Sequence, residues 1–131
     1  MAKTTLTPSE VANQAGRESL VEADGFQATA ATGTPVSLIA SRKLQLKALT
    51  MKALTAGTAG ATTAKVQKNG VDVAGAQASI DNAEADGTTK SAGPVAETIL
   101  NAGDMATVVV TAAATGGANV GFKLVCAEVY D

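Results

Sequence analysis

Alternation of apolar and polar positions, broken at short intervals by glycine, runs through most of this chain and predicts strands rather than helices. Over residues 43–54, Leu44 and Leu46 alternate with Lys43, Gln45 and Lys47, and then Leu49, Met51 and Ala53 carry the alternation in the opposite phase. A strand with a bulge near Ala48 accounts for the switch, because one extra residue changes the parity of the apolar set. The same residues are good helix formers, and Leu44, Ala48, Met51 and Thr55 also fit a helical face. The strand is preferred because the surrounding sequence is all-β in character. Residues 64–68 and 71–74 flank Asn69-Gly70, a dipeptide that accepts positive φ at both central positions of a type I′ turn, so a hairpin is expected there. Residues 98–100 lead through Asn101-Ala102-Gly103-Asp104 into 105–112, where Val108, Val109 and Val110 form the β-branched run of a strand buried on both faces. Residues 120–130 place Val120, Phe122, Leu124 and Cys126 on one face and Val125, Ala127 and Val129 on the other. Such a strand belongs in the middle of a sandwich or at a subunit interface.

The first segment is different. Thr7-Pro8-Ser9-Glu10 offers an N-capping hydroxyl, a proline at the first helical position and a glutamate that closes a capping box, so a short helix is expected from here to Gly16. About two turns of helix are not stable alone in water and must dock or fray. After Asp24-Gly25 the composition shifts to Ala, Thr, Gly and Val. The expected organisation is an N-terminal arm with a short helix over residues 1–25, followed by an all-β domain over 26–131, a β-sandwich of jelly-roll type.

Composition narrows the chemistry. The 131 residues contain no His or Trp, one Cys, and only Phe26, Phe122 and Tyr130 as aromatic rings. General acid–base catalysis and metal binding most often draw on histidine, so the chain is read as no enzyme, with no cofactor and no metal. Cys126 lies in an apolar run and reads as a small buried hydrophobe, without a histidine to activate it. The acidic stretch Asp81, Asn82, Glu84, Asp86, Gly87 has the look of a calcium loop, but the bidentate acid it needs falls at Gly93. Gly57-Thr58-Ala59-Gly60 and Thr115-Gly116-Gly117 lack the Lys-Ser/Thr of a phosphate loop and read as turns.

A net charge of -2 gives no general attraction to nucleic acid or anionic membrane. Charge is nonetheless uneven. Arg42, Lys43, Lys47, Lys52, Lys65 and Lys68 precede a stretch in which Asp72, Asp81, Glu84, Asp86, Glu97 and Asp104 face Lys90 alone. These segments either pair within the fold or meet head to tail between neighbouring subunits. The apolar content is 46%, dominated by Ala and Val, which implies a thin core that gains from association with other copies or a larger partner. No signal-peptide run or membrane span of ~20 apolar residues is present.

The hairpin phrase Ala64-Lys65-Val66-Gln67-Lys68-Asn69-Gly70-Val71, the phrase from Leu100-Asn101-Ala102-Gly103-Asp104 into Val108-Val109-Val110, and the closing stretch 120–130 resemble the jelly-roll head decoration, or cement, proteins of tailed bacteriophages. The pattern is also similar to trimeric jelly rolls of the C1q and tumour-necrosis-factor type, found in spore-surface and fibre proteins. The first resemblance implies a homotrimer, made in the host cytoplasm and seated on the virion surface. Its partner would be the major capsid protein, reached by an arm over adjoining capsid subunits. Leu6, Val11, Leu20, Val21 and Phe26 are the apolar points of such an arm. The alternatives are a trimeric fibre or receptor-binding module, and a tail-tube or baseplate component.

Overall fold

The computed structural model describes residues 20–129. Nine strands are formed there: β1 (Leu20–Thr29), β2 (Gly33–Ile39), β3 (Leu44–Thr55), β4 (Ala61–Lys68), β5 (Val71–Asp81), β6 (Thr89–Ala92), β7 (Ile99–Leu100), β8 (Met105–Ala112) and β9 (Ala118–Glu128). One sheet has the order β1-β9-β3-β6, with β7 also pairing with β3, and the other has the order β2-β8-β4-β5. All pairings are antiparallel. Early strands alternate between the sheets, and β8 and β9 return to lie beside β2 and β1, which is the wrapping of a jelly roll.

The local signals explain the elements. Asn69 has φ 50° and Gly70 φ 83°, as the two-residue turn between β4 and β5 requires. Asn69 also joins this turn to the start of β8. Its backbone N–H donates to the Met105 carbonyl at 2.8 Å, and its side-chain oxygen accepts from the Met105 N–H at 2.9 Å. In β3 the register against β9 slips between Leu46 and Ala48. Leu44 and Leu46 before the bulge, and Leu49, Met51 and Ala53 after it, are all buried. The bulge therefore turns two opposite-phase alternations toward one core, and the helical alternative for this segment is excluded.

The arm boundary needs correction. Residues 20–25 are paired along β9, from Leu20 opposite Ala127 to Gly25 opposite Phe122. They belong to the first sheet, so the domain begins at least at Leu20. The misleading signal was Asp24-Gly25, which reads as a turn but is a glycine in mid-strand, where β1 crosses close over Pro35 and Val36 of β2. The helix expected from Thr7 to Gly16 lies outside the described residues.

The core between the sheets is thin, as the composition implies, with Ala, Val and Cys holding most of its buried positions. Cys126 is fully buried within it, and burial pushes its thiol up to about 11. Labelling by a disulfide reagent at pH 8 should therefore proceed only through unfolding, with rapid stoichiometric reaction in denaturant. Fast labelling of the native protein would contradict the placement of β9.

Candidate interaction face

The two outer faces of the sandwich differ in how far their polar groups satisfy one another. On the second sheet, the Thr63 and Ser79 hydroxyls bond at 2.9 Å. Asp72 accepts from Lys65 Nζ at 2.9 Å and from Gln67 Nε2 at 2.8 Å. These two bonds, that from Lys65 foremost, hold the Asp72 carboxyl below its ordinary range. This is a polar ladder of cross-strand pairs, the usual solvated side of an antiparallel sheet.

On the first sheet the ladder is only half built. One level crosses four strands as Asp24, Lys123, Thr50 and Ser91. Lys123 donates to Glu22 Oε2 at 3.1 Å, and this bond, with the fields of Glu22 and Asp24, raises the lysine's pKa. The Thr50 and Ser91 hydroxyls bond at 2.8 Å. The next level runs Phe26, Gly121, Lys52 and Thr89. Here Phe26 is 63% exposed, and Leu54, two residues beyond Lys52, is 55% exposed. Among the described residues Lys52 forms no ion pair. Asp24, Thr50, Lys52, Thr89, Gly121 and Lys123 enclose a shallow notch of about 460 Å³.

Of the five positions expected to touch a capsid, Leu6 and Val11 lie outside the described residues. Leu20 and Phe26 are exposed on β1. Val21 is turned the other way and, half-buried, packs against the core. Lys52, Leu54 and Gly121 complete the face and were not among the five. The signal for them was present in β3, where burial of Leu49, Met51 and Ala53 turns Lys52 and Leu54 outward, and in a glycine inside the last strand.

The remaining sequence features resolve as structure. Within the acidic loop, Asp81 accepts from the Ala83 N–H and Glu84 from the Asp81 N–H. Glu84 also pairs with Lys90 at 2.7 Å, and Asp86 accepts from the Ala56 N–H at 2.9 Å. Its carboxylates thus hold the loop, and no cluster of three metal-ligating side chains exists among the described residues. The two glycine-rich turns bind each other, the Thr58 N–H donating to the Thr115 carbonyl at 2.7 Å and the Thr115 N–H to that of Ala59 at 2.8 Å. Part of the uneven charge is paired inside the fold, Lys65 with Asp72 at 2.9 Å and Lys68 with Asp104 at 3.9 Å.

No protein-family model and no curated protein matches the chain. Among solved structures, it is similar to a chain in the acidic stable capsid structure of Helicobacter pylori bacteriophage KHP30, with a TM-score of 0.55 and 12% identity over 85% of this chain and 90% of that one. It is also similar to the EclA C-terminal domain, a sugar-binding protein, with a TM-score of 0.41 and 13% identity over 83% and 78% of the two chains, a likeness too distant to carry an argument. What the first likeness shows is a shared fold, extending over nearly the whole of both chains.

Proposed function

We propose that this protein is a structural component of a phage virion, a decoration or cement protein that binds across adjoining capsid subunits and stabilises the head. The observation that supports this reading best is the fold shared, almost end to end, with a chain from a phage capsid. Two features agree with it. β1, the first described strand, is an edge strand of the first sheet, whose outer face carries exposed apolar side chains. The thin, Ala- and Val-rich core also gains from association. In this reading the protein is a homotrimer, its partner is the major capsid protein, and it works by burying surface across subunit boundaries rather than by catalysis.

The test is co-sedimentation of the full chain with shells assembled from the major capsid protein of the same genome, alongside light scattering of the protein alone. Saturable binding, greater thermal resistance of the loaded shells, and a solution mass three times the 12.9 kDa chain mass are the expected results. Val11→Asp and Leu20→Asp should weaken shell binding by about tenfold or more while leaving the solution mass unchanged. Val21→Asp should instead lower the melting temperature, because it puts a carboxylate against the core. Absence of shell binding by the unmodified chain would overturn the proposal.

A further inference from the structure

Glycine in the interior of a strand weakens it, and is found where the backbone needs positive φ, where something within the fold approaches too closely for a side chain, or where an outside group does so. The first two reasons account for eleven of the twelve described glycines. Gly33, Gly57, Gly60, Gly70, Gly75, Gly87, Gly103 and Gly116 have positive φ. Gly25, Gly93 and Gly117 face atoms that a Cβ would crowd. Gly121 alone has neither reason: its φ is ordinary, and a Cβ added to it meets nothing within 4 Å. It sits in β9, between β1 and β3, and forms the floor of the notch on the open face.

We infer that the space above Gly121 is a socket for a bulky apolar side chain of the capsid protein, carried on a segment that also presents a carboxylate to Lys52. The socket's shape follows from the level Phe26, Gly121, Lys52, in which a side-chain-free position lies between an exposed ring and a lysine stem. Burying an apolar knob there, with Phe26 and Leu54 covered beside it, is the arrangement of a binding hot spot ringed by near-neutral contacts. The choice of an acidic neighbour follows from charge. Lys123 is already engaged by Glu22, whereas Lys52 at the rim forms no ion pair with any described residue. This inference rests on the capsid-binding reading and adds the residues and the partner chemistry to it.

Gly121→Val is the decisive variant, because its side chain projects into open space, suits a strand, and fills the socket. Lys52→Glu reverses the rim charge on an exposed position. Both would be compared with the unmodified chain by thermal melting, by co-sedimentation with capsid-protein shells, and by light scattering over a concentration series. The expected result is a melting temperature unchanged or raised for Gly121→Val, with shell binding at least tenfold weaker for both variants. For Lys52→Glu the loss should shrink as salt is raised. If the unmodified chain binds shells and Gly121→Val binds equally well, the socket is wrong while the capsid reading stands. If the unmodified chain does not bind shells, both fall. If Gly121→Val changes the solution mass instead of shell binding, the occupant is a second copy of this chain and the capsid assignment of the socket is overturned.

Discussion

Leu124→Ala is expected to lower the unfolding free energy by about 2–5 kcal/mol, the range for a buried leucine cut back to alanine with partial collapse of the cavity. Leu124 is fully buried in β9 and lies level with Ala23 of β1 and Leu49 of β3. The context places the effect toward the upper part of that range. Only Leu44, Leu46, Leu49, Met51, Ile80, Leu100, Phe122 and Leu124 in the core cluster are larger than valine, so few neighbours can rearrange to fill the space. Against a total stability of about 5–15 kcal/mol for a domain of this size, the loss is a large fraction, and the melting temperature should fall by roughly 8–20 °C. Thermal and urea unfolding followed by circular dichroism would measure it. Val95→Ala, at a position 78% exposed, is the control and should change stability by no more than about 0.5 kcal/mol. A Leu124→Ala loss below about 1 kcal/mol would mean that the two sheets do not close on β9 as described.

The elements legible in the sequence are those specified by local rules. Asn69-Gly70 announces its turn because few other dipeptides accept positive φ twice. The phase switch in β3 announces its bulge because both halves must bury their leucines on one side. The final strand is legible because its apolar residues occupy both parities, and it lies centrally, between β1 and β3. What escaped the sequence reading depends on partners distant along the chain. β1 carries only Val21, Ala23 and Gly25 inward, with Glu22 and Asp24 outward, a pattern too weak to distinguish an edge strand from a tail without β9 beside it. β6 and β7 are four and two residues long and exist only through pairing with β3. The candidate face was half legible for the same reason. Leu20 and Phe26 stand out as exposed apolar residues in a polar stretch, but Gly121 and Lys52 acquire meaning only when β9 and β3 bring them level with Phe26.

Gly25→Ala is expected to be the most damaging single-methyl change in the first sheet, costing about 3 kcal/mol or more. The added Cβ would collide with the Pro35 carbonyl oxygen and come within 2.7 Å of Val36 Cγ2. The first of these obstacles is backbone, and Val36 is itself 2% exposed in the core, so neither can give way cheaply. Relief would require β1 to lift from β2, which also strains the β1 pairing with β9 on both sides of Gly25. Gly25 and Gly121 make a matched pair for this purpose. They lie on adjacent strands one residue out of level, since Gly25 is opposite Phe122 and Phe26 is opposite Gly121. A side chain at Gly25 points into the closure between the sheets, and one at Gly121 points away from it into the notch. The same chemical change should therefore destabilise the domain strongly at one glycine and leave it as stable, or firmer, at the other. A neutral Gly25→Ala would show that residues 20–25 do not dock on β2, returning them to the arm and removing Phe26 from the face on which the socket depends.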